Sequence, residues 1–397
     1  MPQSFPKTHR RRFTARGLSL IELLVAMAIG LVVTLAITTV LIDSQGLQRT
    51  STALNDVSQT GAHATLALDR AARSSGSGFT QFRSAMGCVL NAAITTPALK
   101  VLLPVAADLP APFANIGPTS GLKNVVLAPV VIIDGGGANG SDQLVVMAGN
   151  HAHSETPRLI DAGSATTTSV TVGNALGMRA SDLVLVADSV AGSGCMIQQI
   201  AAPVSQQQLP MSGAYYKAVG TTRSLDSFSG TSAVVPLGWM SNVVGTPSNP
   251  PSFTVFGLDD KNRLRSYDLL NTTDSDVAIA AENVFSVHAL YGVGGAPLVW
   301  TAPTAGTTYG VDKLWGATTT ADKLAVQAAI QNIRAVRVAM VLQSPVQEQQ
   351  TTPPVSPDTL VLFPDLPVAN QVTITLTSAQ QNYRYRIVET IIPLLNL

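Results

Sequence analysis

Glu22 is the one carboxylate in a run of apolar and small residues from Leu18 to Ile42 that is otherwise uncharged. A lone acid in a membrane-length segment costs on the order of 3 kcal/mol or more near the bilayer centre. A positive charge nearby would offset that cost, and cutting the chain after Gly17 would create one, the free amine of Leu18. Five cations (Lys7, Arg10, Arg11, Arg12 and Arg16) precede the run, with no acid among the first 17 residues. Elsewhere, Cys88 and Cys195 are the only cysteines. His151 and His153 share one face of an extended chain and, with Glu155, could ligate a metal; the alternative is a set of surface polar residues. Gly135–Gly140 fits G-x-G-x-x-G, but the dinucleotide reading needs a helix next, and Ser141–Ala148 reads as a strand. Asp134, Asn139 and Asp142 offer oxygens for calcium without EF-hand spacing. No serine stands in a G-x-S-x-G elbow. The residues therefore predict no enzyme, no cofactor and no metal.

The element that must carry Glu22 is a helix. Twenty-five residues from Leu18 to Ile42 would span about 38 Å, more than a hydrocarbon core of about 30 Å. No proline occurs between Lys7 and Thr96, and apolar residues recur beyond the run at Leu47, Leu54, Val57, Ala64, Leu66, Leu68 and Ala71. This spacing predicts one helix over 18–73, membrane-spanning over 18–42 and amphipathic beyond, about 80 Å long if unbroken. Gly46 and Gly61 are weak points, and Ser74-Ser75-Gly76-Ser77-Gly78 ends it. A basic leader over 1–17 ahead of an apolar run keeps the N-terminus cytoplasmic and exports the chain beyond the run. Three readings of the segment compete. A cleaved secretory signal could use Ala26-Met27-Ala28, but the run stays apolar well beyond that site. A plain anchor leaves Glu22 unexplained. A signal cut after Gly17, with the whole run retained as a helix, uses every part.

Residues 74–397 change texture, to short β-branched runs between Gly, Pro, Ser and Asn clusters. Strands are predicted at Val125–Asp134, Gln143–Ala148, Ser169–Val172, Leu183–Asp188, Met196–Ile200, Phe253–Leu258, Leu264–Leu269, Phe285–Tyr291, Val336–Leu342, Gln371–Leu376 and Tyr385–Ile392. Val336, Val338, Met340 and Leu342 form the core face of their strand. A helix is predicted at Ala321–Ile333, and Gln347–Pro367, rich in Pro, Gln and Thr, reads as a surface loop. Together these give an α+β, pilin-like class: a long N-terminal helix on an antiparallel β-rich domain, with room for two subdomains. Charged residues are 12% of the chain and hydrophobic residues 46%, enough for a core. Without the leader, 24 − 5 = 19 basic side chains face 24 acidic ones, a balance of −5. Such a body has no footprint for nucleic acid, Arg384 and Arg386 being the nearest to a basic patch. An exported compartment is oxidising, which favours a disulfide between Cys88 and Cys195 over two buried free thiols.

Gly17-Leu18-Ser19-Leu20-Ile21-Glu22-Leu23-Leu24-Val25-Ala26 resembles the prepilin methylation motif of type IV pilins and type II secretion pseudopilins. The resemblance implies that prepilin peptidase cuts after Gly17, that Leu18 becomes the methylated first residue, and that Glu22 is the assembly acid at mature position five. Leu18 stands where Phe is commoner, and Thr39 where major pilins carry a helix-bending proline; both departures look like a minor subunit. Several later segments resemble the PilW family of minor pilins: Gly87-Cys88, Ser141-Asp142-Gln143-Leu144-Val145-Val146, Ser181–Asp188 followed by Cys195, Asn283–Val293, Ala335–Met340 and Tyr383–Asn396. The stretches Pro104–Gly121 and Gln206–Pro251 match nothing in that family.

The expected function is that of a minor pilin that initiates, caps or joins a type IV pilus. Its partners would be other minor pilins, the major pilin and prepilin peptidase, with the inner membrane as anchor and no nucleic acid. The globular domain would stand in the periplasm and, after assembly, on the pilus. One alternative is a J-like minor pseudopilin of type II secretion, a group whose members are usually much shorter. Another is an exported adhesin or binding domain anchored by the same signal, its added activity housed in the two unmatched stretches.

Overall fold

The computed structural model describes residues 19–96, 98–151, 156–190, 192–202, 205–240, 248–270, 277–348 and 354–395. A single α-helix, Leu20–Ser74, opens the described chain and runs through both Gly46 and Gly61. It stops at the Ser-Gly cluster, where Gly76 takes a φ of 79° and donates its N–H to the Met147 carbonyl. The chain divides within this helix into two units, Met1–Asn55 and Asp56–Leu397. In the first, the 22 residues Leu20–Leu41 have a mean hydropathy of 2.7, and none is buried.

The second unit is built in layers. A six-stranded sheet runs in the order Lys100–Leu103, Leu90–Ile94, Cys195–Gln199, Asp182–Asp188, Ser232–Trp239, Arg158–Leu159. Its pairs are antiparallel except Leu90–Ile94 with Cys195–Gln199, which run parallel. An antiparallel five-stranded sheet has the order Ala278–Ala281, Leu264–Asp268, Ser252–Leu258, Gln143–Ala148, Val130–Ile133. A four-stranded antiparallel sheet has the order Val299–Thr301, Val284–Val293, Ile333–Gln343, Tyr385–Pro393.

Period-two side-chain alternation divides the central strands between two cores. In Asp182–Asp188, Leu183, Leu185 and Ala187 enter the core shared with Val131, Val145, Met147 and Phe253 of the five-stranded sheet. Val184 and Val186 point the other way, onto Val170 and Leu209 of a small two-stranded sheet. Leu144 and Val146 turn from the first core toward Val338, Met340 and Leu342 of the four-stranded sheet. The helix half in this unit joins that core through Val57, Ala64, Leu68 and Ala72, spaced seven, four and four. Gly61 lies on the same stripe, and a Cβ there would meet Leu342 Cδ1 at 2.3 Å. Leu66, predicted for this face, is 44% exposed, because two residues from Leu68 is about 200° around a helix.

Two sequence expectations are corrected, the first by the cover on the four-stranded sheet. Gln347–Pro367 is not a loop throughout: Thr359–Leu362 pairs with Val372–Thr375 as a hairpin. Its Leu360, Leu362 and Phe363 bury Ala339 and Val341, the supposedly outward face of Ile333–Gln343. Arg337, on that face, is only 8% exposed. It donates from both terminal nitrogens to Asp365, at 2.9 and 2.5 Å, and to Glu389 at 2.7 Å, which satisfies the charge that the cover buries. The second correction concerns Val125–Asp134, of which only Val130–Ile133 forms a strand. The helix predicted at Ala321–Ile333 is found at Thr320–Asn332, capped by the Thr319 side chain, which accepts the Asp322 N–H.

Candidate functional site

The apolar helix begins directly after Ser19, whose carbonyl accepts the N–H groups of Glu22 and Leu23 at 3.0 and 3.1 Å. Glu22 sits in the first turn with its side chain exposed. An acid there lies on the favourable end of the helix dipole, and Ser-x-x-Glu is the spacing of a capping box. The predicted processing residues, Gly17 and Leu18, lie outside the described residues.

Composition alone does not reveal a second property of this helix. Ala26, Gly30, Thr34 and Thr38 succeed Glu22 at intervals of four and so line one inclined row. Thr34 donates its hydroxyl to the Gly30 and Leu31 carbonyls, both at 2.9 Å, and Thr38 donates to Thr34 at 2.7 Å. Thr39, at the position where proline was expected in a major subunit, donates to Ala36 at 2.8 Å, within an unbroken helix. The hydroxyls are thus satisfied inside the helix, and the row presents small surfaces. A Cβ on Gly30 would meet no atom of another described residue within 4 Å. The row is legible as a four-residue period of small side chains, a signal that a search for charge passes over.

In the second unit, Cys88 and Cys195 form a disulfide with Cα atoms 5.8 Å apart, which decides between the two predicted states. Both are buried, and the bridge fastens the parallel pair at its start, where Leu90 faces Cys195. Gly87 precedes it with a φ of 81°, a conformation that a side chain would strain.

The Ser141-Asp142 pair closes an open sheet edge. Ser141 Oγ accepts the Val287 N–H at 3.2 Å. Asp142 donates its own N–H to the Val287 carbonyl at 2.8 Å, and its carboxylate accepts from Ala289 N–H at 2.8 Å and Gly135 N–H at 3.1 Å. This side chain therefore ties the five-stranded sheet to the edge of Val284–Val293. Ser286 and His288 complete the cluster, with Ser286 Oγ 2.9 Å from His288 Nε2 and His288 Nδ1 3.7 Å from Asp142. Ser286 is fully buried, and the grouping lies where the two sheets meet.

The remaining candidates serve the fold as well. Gly135–Gly140 joins the hairpin of Val130–Ile133 and Gln143–Ala148, with a strand where the dinucleotide reading needs a helix. Asn139 donates to the Phe285 carbonyl at 2.8 Å rather than facing a shared centre with Asp142. His151 is buried, its Nε2 3.0 Å from Asp182, while His153 and Glu155 lie outside the described residues. Phe113 and Ile116, from one unmatched stretch, fill the main core. Ser232–Trp239, from the other, is an inner strand of the six-stranded sheet.

Residues 12–38 match a family model described as the prokaryotic N-terminal methylation motif. No curated protein and no solved structure matches the chain significantly. The match spans Gly17, Leu18, Glu22 and most of the unburied apolar helix. The chain therefore carries the signal of a type IV pilin-like or pseudopilin-like substrate of prepilin peptidase, on a helix fit to anchor it in a membrane and to assemble with pilus components.

Proposed function

We propose that this chain is a minor pilin of the PilW kind, which starts, caps or enters a type IV pilus after prepilin peptidase removes residues 1–17. One observation carries the reading. The helix Leu20–Leu41 offers its apolar surface to other molecules, and Glu22, within the matched methylation motif, stands in its first turn. Before assembly the lipid of the inner membrane covers that surface, with the N-terminus cytoplasmic and residues 74–397 periplasmic. During assembly neighbouring helices replace lipid. The amine of Leu18, freed by cleavage, pairs with Glu22 of the same or an adjacent subunit. A buried pair of this kind contributes little net stability, but it fixes register.

The row Ala26, Gly30, Thr34 and Thr38 supports helix-on-helix contact, since small residues at four-residue spacing let two backbones approach. Glycine inside a helix costs about 1 kcal/mol relative to alanine. Nothing among the described residues uses the space its missing side chain leaves at Gly30. The PilW assignment draws support from the order of the resembling segments and from the disulfide that links the two cysteine-bearing ones. The edge-closing work of Asp142 supplies a physical reason for the Ser-Asp motif.

The test is Glu22→Ala in cells that assemble the pilus. The variant should insert in the membrane in normal amount, yet co-purify with the other pilins at a small fraction of the wild-type level. Normal piliation and normal co-purification would contradict the reading.

A further inference from the structure

The unmatched stretch 206–251 does more than supply a strand. Its turn Thr221–Ser224 reaches over to the loop before Cys195 and to the first turn of helix Thr320–Asn332. Together they bound an open cleft of about 590 Å³. That is within the usual size of small-ligand sites, about 300–1,000 Å³. The cleft is lined by two cations, Arg223 and Lys323, and by the hydroxyl side chains of Ser193, Thr222, Ser224 and Ser227; no carboxylate lines it.

Its parts are held in place from behind. Asn91, buried next to the disulfide, accepts the N–H groups of Thr221 and Thr222 at 2.9 and 3.1 Å and donates to Thr222 Oγ1 at 2.7 Å. Arg223 lies 4.2 Å from the Phe228 ring centre. It donates through Nη2 to Asp188 at 2.9 Å and to the Ser227 carbonyl at 3.0 Å, and through Nε to Ser227 Oγ at 2.9 Å. Its Nη1 has no partner among the described residues. The Lys323 stem lies against Gly192, where a Cβ would come within 2.3 Å of it and where φ is 64°. Lys323 has no ion-pair partner among the described residues. Gly194 makes a similar close approach, its absent Cβ leaving room for Thr222 Oγ1 at 2.4 Å. The result is a pre-positioned guanidinium, an uncommitted ammonium and a ring of hydroxyls.

The geometry points to a binding site for an acidic oligosaccharide, with Lys323 and Arg223 Nη1 holding its anionic oxygens and the serine and threonine hydroxyls meeting its hydroxyl groups. Arginine supplies planar directed donors and lysine a compact charge, and both prefer carboxylate or phosphate oxygens. The hydroxyl lining favours a sugar over an apolar acid through its acceptor lone pairs, which can take sugar O–H groups, since Ser193, Ser224 and Ser227 already donate their own protons to the Val190 carbonyl, the Asp226 carboxylate and the Ser224 carbonyl. This site is independent of the pilin reading, since no residue in it belongs to the N-terminal helix.

The test uses the full chain in detergent, titrated calorimetrically with three probes: a tetrasaccharide of uronic acids, its neutral counterpart and inorganic pyrophosphate. The uronate should bind, more weakly as salt rises, and the neutral sugar should not. Lys323→Gln should weaken uronate binding by about ten-fold or more, as expected for a lost charge-assisted bond, with an unchanged melting temperature. Thr222→Val, which keeps the side-chain volume, should weaken the uronate several-fold and leave pyrophosphate unaffected. Pyrophosphate binding in place of the uronate would reject the sugar assignment and reduce the cleft to a phosphoryl site. Equal affinity for acidic and neutral sugars, no binding of any probe, or a Lys323→Gln variant that binds as wild type would overturn the proposal.

Discussion

The two units solve the problem of apolar surface in opposite ways. In Leu20–Leu41 no residue is buried, whereas strands such as Asp182–Asp188 and Gln143–Ala148 are buried on both faces along their whole length. Fully burying one Leu, Val or Ile is worth about 1.5–3 kcal/mol. A helix that leaves more than a dozen such residues uncovered must meet lipid or other helices, whereas the layered unit meets that need internally. The contrast divides the roles. Substitutions in the layers should change stability, and substitutions on the apolar helix should change association.

The largest expected effect is on the disulfide. Replacing Cys88 and Cys195 together by Ser opens a loop of 107 residues and should lower unfolding free energy by roughly 4–5 kcal/mol, read by denaturant titration of the full chain in detergent. A loss below about 1 kcal/mol would mean that the parallel pair holds itself. Next is Asp142→Ala, which strands the N–H groups of Ala289 and Gly135; a loss of about 2–4 kcal/mol is expected. Asp142→Asn, which keeps an acceptor, should lose less.

Asp268 gives a smaller and pH-dependent effect. Burial pushes its carboxyl up to about 6, although the backbone N–H groups of Leu270 and Phe253 work against the shift. A raised folded value means that the folded state holds the proton more tightly. The stabilisation is therefore complete below the unfolded value near 4 and is lost as pH rises through about 6. Asp268→Asn should raise stability by about 2–3 kcal/mol at pH 7.5 and change little at pH 4. Parallel pH curves for variant and wild type would refute this. The smallest effect on stability belongs to Gly30→Leu. It should leave the unfolding of the layered unit within about 0.5 kcal/mol of wild type. Recovery with partner pilins should fall sharply, and retained recovery would remove the small-residue row from the contact.

Legibility in the sequence divides along the same line. The apolar run needs only composition, and its one acid stands out. The alternation of Val336, Val338, Met340 and Leu342 is a period-two pattern and places their strand correctly. Ser232–Trp239 is hidden because Pro236 and Gly238 read as breakers. The strand tolerates them because its register shifts between those residues, and because its neighbour Arg158–Leu159 pairs only with Ala233 and Val234. Leu90–Ile94 is hidden by its two alanines and an asparagine, weak strand formers held in place by the neighbouring disulfide. The hairpin at Thr359–Leu362 is obscured by the prolines around it. Of the N-terminal site, Gly17, Leu18 and Glu22 are legible by motif, but the small-residue row carries no charge and does not stand out. The cleft at Lys323 joins segments about 30 to 100 residues apart and has no local signature at all.

On the proposed reading, the exposed helix is a processed assembly element. Intact-mass and fragment-ion analysis of the protein purified from membranes of cells containing prepilin peptidase tests it most directly. The mature chain should begin at Leu18 with one methyl group on its amine, and an uncleaved chain beginning at Met1 should remain when the peptidase is deleted. A mature chain beginning at Met1 in the presence of the peptidase, or at Ile29 after cleavage at Ala26-Met27-Ala28, would contradict it.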